Sequence, residues 1–540
     1  MKALLIHLDR DLQLREKPSA PWRPEERVVW TPQEQALLQD LHVEPLLEAM
    51  ARGDQLVLKV SRNVLLSSVR GEVETVRYRQ EILKDCLAHP DLITKLYALA
   101  GEALEIKQKL RHFGVFGRYA DSVLHDSVSL IEALSDMLRT LRMVAEQNSE
   151  RFRSRGFTTL FATLRAELSD EYLAEVRGHL GRLKFRRGVP VSAGLGESNE
   201  GKDYVLHFRE ERRWEWLERF LGSGVPSLTV RIPDRDEAGA RAYSELRETG
   251  LGIVANALAQ AANHMISFFD MLRTELAFYL GCLNLHARLA ELGVPVVFPE
   301  PLPAGERRLR ASGLCDVSLA LAMATQLVPN DILADGKGAC VITGANQGGK
   351  SAFLRGIGLM QLMMQAGTFV AADSCSAEVC NGIFTHFRRE EDASMKSGKL
   401  DEELHRMSLV ADNLSPGALV LINEAFAATN EREGSEIARQ VVTALIEKGM
   451  KVVFVTHLYD FPHRLALERA KDALFLRAER RQDGLRTFKL VEGEPLETSF
   501  GRDLFTEVFQ KGDVGADAAQ PPTAGEAPAA TTPAHVNSSG

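Results

Sequence analysis

The segment Ala339-Cys-Val-Ile-Thr-Gly-Ala-Asn-Gln-Gly-Gly-Lys-Ser351 constrains this chain more than any other. A short apolar strand runs into a loop spaced Gly344-x-x-x-x-Gly349-Lys350-Ser351, and Ala352 to Gln365 continues as a helix. Strand, glycine-bearing loop and helix in that order make the P-loop arrangement, which binds phosphates. The glycines let backbone N–H groups wrap phosphate oxygens, and the helix N-terminus adds partial positive charge. Lys350 is placed to reach the β- and γ-phosphates, and Ser351 to ligate Mg²⁺. Gly344, Asn346, Gly348, Gly349, Lys350, Ser351 and Ala352 are therefore the candidate nucleotide ligands, with ATP and Mg²⁺ the expected cofactors.

Two further strands support this reading. Ala418-Leu-Val-Leu-Ile422 is an apolar run with two acceptors at its end, Asn423 and Glu424. In a P-loop ATPase such a strand ordinarily ends in an Asp that holds the Mg²⁺ shell, followed by a Glu that polarises the attacking water. Asn423 keeps an acceptor oxygen but not the charge, so weaker metal binding is expected. Glu424 keeps the basic role, against the bland alternative of a solvated strand-end carboxylate. Lys451-Val-Val-Phe-Val455 ends in Thr456-His457, where a polar side chain can sense the γ-phosphate. Glu424 and His457 are the catalytic candidates; Ser351 and Asn423 are the metal candidates.

Most of the preceding sequence reads as helix. Leu124, Ile131, Leu134, Leu138, Leu141 and Ala145 recur at steps of three, four and seven, which places them on one helix face. Glu237 to Leu292 holds no proline. Within it Leu251, Val254, Leu258, Ala261, Met265, Phe268, Leu272, Leu276, Tyr279, Leu283 and His286 keep a period near 3.5, which predicts one long helix packed lengthwise on a partner. The alternative is two core helices broken near Gly281. Between the helical blocks, Gly188–Gly194, Tyr204–Phe208 and Ser227–Ile232 read as short strands, the first two joined by a loop over Glu197–Lys202. From Arg177 to Arg213 there are nine Lys/Arg against five Asp/Glu, followed by Trp214, Trp216 and Phe220. Lys184, Arg186, Arg187 and Lys202 are candidates for contact with backbone phosphates; a solvated face is the other reading.

Composition sets the limits. With 540 residues, 45% hydrophobic and 26% charged, the chain is neither disordered throughout nor a disulfide-stapled mini-protein. A formal charge of −9 excludes a uniformly basic nucleic-acid coat but not a local basic patch. The six cysteines are scattered, so buried thiols in a reducing compartment are expected rather than a zinc site. No signal peptide and no run long enough to span a membrane is found, so a cytoplasmic chain is expected. Gly512–Gly540, rich in Ala, Pro and Thr, reads as a disordered tail.

Several of these residues resemble the MutS family, the ATPases of DNA mismatch repair and their paralogues. The resemblance is strongest from Leu327 to Phe461 and is carried by Asn346 inside the loop form Thr343-Gly-x-Asn-x-x-Gly-Lys-Ser351. Gly367–Ala372, Ile383–Phe387 with Glu390, Glu391 and Asp392, Thr429–Gly434 and Thr456–Phe461 resemble further family segments. Val328-Pro-Asn-Asp-Ile332 resembles the segment near the nucleotide base, which adds Asn330 to the binding candidates. In the family a signature loop from a second subunit completes the site. The corresponding stretch is Lys396–Leu404, where Gly398-Lys399-Leu400 and Glu403 depart from the family pattern; Ser397 and Gly398 are the candidates, with Ser397 as a simple helix cap the alternative. Arg77-Tyr-Arg-Gln-Glu-Ile-Leu83 resembles the core of the lever domain.

The resemblance implies an α+β multidomain chain. Residues 1–33 are an N-terminal segment. Residues 34–310 are a mainly helical core/lever domain with a β-rich clamp-like insertion at about 186–235. Residues 311–506 are an α/β ABC-type P-loop ATPase domain, and 507–540 a tail. No length is left for a mismatch-reading domain, so the expectation is a homodimeric, ATP-dependent DNA-binding paralogue acting on branched or other non-mismatch DNA in repair or recombination. Two alternatives stay open. Asn423 and the altered signature loop suit an ATP-binding scaffold with little hydrolysis. An ABC-type ATPase acting on a protein partner would want long coiled-coil arms and a Ser-Gly-Gly-type signature, neither of which is clear here.

Overall fold

The computed structural model describes residues 4–6, 30–113, 120–185, 191–195, 201–206, 237–345, 347–389, 398–480 and 486–495. The third expected strand, Trp214, Trp216, Phe220 and the tail lie outside these residues.

Helices come first. α1 (Pro32–Asp40) starts on a capping box: the Thr31 hydroxyl accepts from the Glu34 amide while the Glu34 carboxylate accepts from the Thr31 amide. α2 (Glu44–Ala51) ends at Arg52, and Asp54 caps α3 (Gln55–Ser67) by accepting from Leu56 and Val57 N–H. α4 (Val73–Ala88), α5 (Pro90–Phe113), α6 (Ala120–Asn148), α7 (Arg155–Glu167) and α8 (Asp170–Leu183) follow. The six-residue stripe of α6 is buried throughout. β1 (Val191–Leu195) and β2 (Gly201–Leu206) form an antiparallel hairpin with Val191 opposite Leu206. Gly201 and Lys202 already belong to β2, so the intervening loop is shorter than the sequence suggests.

α9 (Glu237–Glu291) is a single helix of 55 residues, about 83 Å long at 1.5 Å per residue. It is not broken at Gly281, where a Cβ would fall 2.8 Å from the Ser61 hydroxyl, so glycine lets α3 come close. The predicted stripe describes only part of it. From Leu251 to Leu272 one face is buried and Ala261 on the expected face is exposed, whereas Thr274–Tyr279 and Gly281–Cys282 are buried on every side. The stripe widens because α3, α4 and α5 enclose that end.

The α/β part comprises β3 (Glu300–Leu302), β4 (Leu309–Leu314), α10 (Val317–Met323), β5 (Asn330–Leu333), β6 (Ala339–Thr343), α11 (Lys350–Gln365), β7 (Ser374–Glu378) and β8 (Ile383–Phe387). α12 (Lys399–Ala411), β9 (Leu419–Asn423), α13 (Glu431–Glu447), β10 (Lys451–Val455), α14 (Asp460–Arg469), β11 (Ala473–Arg480) and β12 (Arg486–Glu492) complete it. One sheet has the order β12-β11-β6-β10-β9-β8, parallel except for the β11–β12 pair. The other has the order β3-β7-β4-β5. The expected division at residue 310 falls inside β4, and β3 is already paired with β7, so the strands open at Glu300.

A continuous set of buried side chains joins the two parts, from Leu41, Leu46 and Val60 through Leu276 to Leu354, Ile357 and Phe369. At Gly358 of α11 a Cβ would lie 2.6 Å from both Leu41 and Leu421 methyls, so α11 is pressed between the helices and β9. Leu5 and Ile6 are fully buried in this core, each side chain contributing about 1.5–3 kcal/mol. All six cysteines are free and buried, and burial pushes the Cys340, Cys375 and Cys380 thiols up to about 12. Among the described residues no helix is long and apolar enough to cross a membrane.

Candidate nucleotide site

β6, β10 and β9 are adjacent and parallel, with Val455 level with Ile342 on one side and Asn423 on the other. Their C-terminal ends therefore deliver three loops to one place, the edge where α/β sheets bind ligands. The loop after β6 leans on β11. Gly344 has φ 107°, and a Cβ there would lie 2.9 Å from the Ala478 amide nitrogen. A Cβ on Gly348 would lie 2.7 Å from the Ala478 methyl. Gly349 caps α11 with φ 87°. These positions favour glycine, which leaves the loop's backbone bare. Asn346 lies outside the described residues.

Lys350 opens α11 and is buried. Its ammonium donates to the carbonyls of Gly344 at 3.0 Å and Ala345 at 2.9 Å. Burial pushes its pKa down to about 8, against the pull of the Glu424 charge. A bare glycine cradle, a helix N-terminus and a desolvated cation make a donor set that fits a polyphosphate. Ser351 donates its hydroxyl to the Asn423 side-chain oxygen at 3.0 Å. Mg²⁺ is commonly held by one or two protein oxygens plus substrate phosphates, so this pair fits it in number, although neither oxygen carries charge.

Glu424 follows β9 with φ 54°, and Phe426 has φ 64°. Such backbone costs of order 1–3 kcal/mol per residue and persists only where the surroundings force it. Here they do. The Glu424 amide donates to Val455 O at 2.8 Å, and the Phe426 amide donates to the buried Glu403 carboxylate at 2.9 Å. The Phe426 ring stacks on His386, with centroids 5.9 Å apart. At Gly434 a Cβ would lie 2.2 Å from Phe426 O, so α13 closes over the turn. The turn aims Glu424 at His457, whose Nε2 stands 2.9 Å from the carboxylate. That hydrogen bond, aided by the charges of Lys350 and Arg388 and opposed by burial, holds the Glu424 carboxyl below its ordinary range. Glu424 is thus ionised at neutral pH, and His457 Nε2 is the donor.

The other candidates stand differently. Asn330 is buried with its amide spent: its oxygen accepts from Leu490 N–H at 2.7 Å and its nitrogen donates to Phe488 O at 3.0 Å. It holds β12 rather than offering its own amide to a base. Gly398 is exposed and is the N-cap of α12, whereas Ser397 and the acidic residues Glu390, Glu391 and Asp392 lie outside the described residues. Glu403 faces inward, onto Phe426. Lys184 is tied to Glu132 of α6 at 2.8 Å, so it links two helices rather than standing as a free cation. Arg186 and Arg187 lie outside the described residues, and Lys202 is placed by its backbone in β2.

One side chain at the site carries almost no signal in the sequence. Phe488 has φ 58° and is 47% exposed, unusual for an aromatic residue in a strand. Its carbonyl would lie 3.5 Å from a Cβ on Gly349, so it flanks the loop. All that marks it beforehand is one aromatic residue within Arg486–Glu492. Next to the loop, Arg486 donates to the Gln347 side chain.

Comparison with known proteins covers most of the chain. A family model described as the MutS2 N-terminal domain matches residues 71–292, and one described as MutS domain V matches residues 340–517. The DNA mismatch repair protein MutS of Thermotoga maritima is 34% identical over 475 residues, which is 84% of this chain and 55% of that protein. The MutS of Desulfitobacterium hafniense is 24% identical over 430 residues, 73% of this chain and 49% of that protein. The MutS of a Thermus thermophilus strain is 30% identical over 230 residues, 43% of this chain and 28% of that protein. The chain thus spans about half or less of the length of these relatives.

Proposed function

This chain belongs to the MutS family, and on that premise we propose that it is an ATP-hydrolysing, DNA-binding homodimer that acts on branched or other non-mismatch DNA. One observation carries the ATPase reading: Lys350, the Ser351–Asn423 pair and the Glu424–His457 pair converge from three neighbouring strand ends. Lys350 holds the β- and γ-phosphates. Ser351 and Asn423 would hold the metal shell. When bound, Mg²⁺ would neutralise phosphate charge. Glu424, kept ionised, orients the attacking water and accepts its proton, and His457 fixes the carboxylate and senses the γ-phosphate. Gly398 and the start of α13 with its cap, Thr429–Gly434, supply the surface for the second subunit. DNA contact lies at the β1–β2 hairpin, where Lys202 is the candidate, together with Arg186 and Arg187 ahead of it in sequence. In this reading the helical part is the lever and residues 311–506 hold the ATPase, in a cytoplasmic protein.

The test is a panel of duplex, mismatched, junction and looped DNA, scored for binding and for stimulation of turnover, with Lys350→Ala as control. Junction DNA should bind with salt-dependent affinity and accelerate ATP hydrolysis. No response to any DNA would favour a protein partner instead. The uncharged Ser351–Asn423 pair favours one second reading, an ATP-binding scaffold. Turnover that stays undetectable at saturating Mg²⁺ and DNA would select it.

Phe488 belongs to the same site as a platform for the base. Stacking on an aromatic ring is worth about 1–3 kcal/mol per base. Phe488→Ala should therefore weaken ATP about tenfold or more in a fluorescent-nucleotide titration and leave kcat nearly unchanged. Unaltered affinity would remove Phe488 from the site.

A further inference from the structure

Residues 4–6 lie in the interior without joining any helix or sheet. Leu5 and Ile6 are 0% exposed. Their backbone groups are met by side chains instead. The amides of Leu5 and Ile6 donate to one carboxylate oxygen of Glu275, at 2.5 Å and 3.3 Å. The Tyr78 hydroxyl donates to Leu4 O, the Tyr279 hydroxyl to Leu5 O at 2.5 Å, and the Arg79 guanidinium to Ile6 O at 2.9 Å. All four side chains are at least nine-tenths buried.

We propose that α4 and α9, beside the end of α11, form a binding slot for an extended apolar peptide, and that residues 4–6 of this chain are its exchangeable occupant. The chemistry is that of peptide recognition. A carboxylate takes the amides, three donors take the carbonyls, and an apolar core takes the side chains. The slot is also chemically unfinished without a peptide. Vacating it would strip Glu275 of two N–H donors and Arg79 of one acceptor, deep in the core where such losses are costly.

The slot also explains the motif Arg77–Leu83, which the nucleotide site does not use. Tyr78 and Arg79 grip the peptide. Arg79 additionally donates to the Ser68 hydroxyl at 2.8 Å and to Ala366 O, just past the last turn of the P-loop helix, at 3.4 Å. Gln80 of the same motif donates to Pro299 O at 2.9 Å and ties α4 to the approach to β3. The peptide therefore sits where the helical part meets α11, and its presence sets how firmly α11 is tied to α4 and α9.

The test uses the full chain with a specific protease site inserted between Ser19 and Ala20. After cleavage, a fluorescein-labelled synthetic peptide of residues 1–9 should bind saturably by anisotropy. The same peptide carrying Ile6→Asp should bind at least tenfold more weakly, and so should the parent peptide to cleaved Glu275→Gln protein. Failure of the parent peptide to bind, or equal binding of the Asp peptide, overturns the proposal. Should the cleaved chain unfold, intact Ile6→Asp protein decides by hydrogen exchange. Faster exchange confined to residues 73–88 and 366–372, with 431–447 unchanged, is expected; a uniform rise or no change overturns it. Neither readout needs nucleotide or DNA, so failure here leaves the ATPase reading standing.

Discussion

Replacing Lys350 by alanine should weaken ATP binding about 100-fold, measured by titration with a fluorescent nucleotide. Hydrogen bonds to charged groups are worth about 1.5–3 kcal/mol, and each 1.4 kcal/mol is about tenfold in affinity. The value belongs near the upper end because Lys350 is only 4% exposed, so water screens its charge poorly. The same burial gives the wild type a pH signature. With the lysine pKa at about 8 in the protein, the ammonium deprotonates above that pH. Phosphate binding favours the charged form and raises the pKa, so binding takes up a proton. ATP affinity should therefore be flat below about pH 8 and fall by up to about tenfold per pH unit above it. Lys350→Ala should show no such fall. A variant that binds ATP like the wild type would remove Lys350 from the phosphate site. Its ammonium also holds the Gly344 and Ala345 carbonyls, so unchanged thermal unfolding is the needed control.

Glu424→Gln should leave ATP binding within a few-fold of wild type and lower kcat by about 10²–10⁴, the usual worth of a positioned base. Glutamine keeps an acceptor for His457 and the shape of the turn, so the change isolates the charge. The Glu424 carboxylate stands on a backbone held in place by Val455, Glu403, His386 and Gly434, none of which the substitution touches. Its pKa is already depressed, so activity should hold constant through neutral pH and fall only as the medium becomes acidic enough to protonate it. Single-turnover measurement with radiolabelled ATP reads the chemical step directly. Normal turnover in Glu424→Gln would take this residue out of the mechanism.

The parts of the site legible in the sequence are those whose chemistry sits in adjacent residues. Lys350 and Ser351 follow their glycines directly, and Asn423-Glu424 and Thr456-His457 each end an apolar run. What brings those three fragments together is strand order, and apolar runs look alike whichever neighbour they pair with. Phe488 is hidden for that reason, since only the placement of β12 beside Gly349 makes its ring relevant. Asn330 reads as a base contact in sequence because its side-chain partners, Phe488 and Leu490, are some 160 positions away. Lys184 is seen to be paired only once α8 lies on α6. Among the fold elements, periodicity reveals α9 but not the enclosure of its later turns, because burial on all sides leaves no stripe to detect. Residues 4–6 are illegible for a different reason. A run of three apolar residues has no period, and the partners that fix it are at least 70 positions distant.

The unbroken course of α9 has a mechanical consequence. Its later turns are clasped on all sides beside α3, α4 and α5, while one face of Leu251–Ala262 packs on α6 and α8. A rod of about 83 Å, clasped at one end and carrying α6 and α8 along its side, multiplies rotation into displacement. A tilt of about 5° at the clasped end carries the other end through about 7 Å. Adjustments too small to repack the core around Leu276 and Tyr279 are therefore displacements of several Å at the far end of α9.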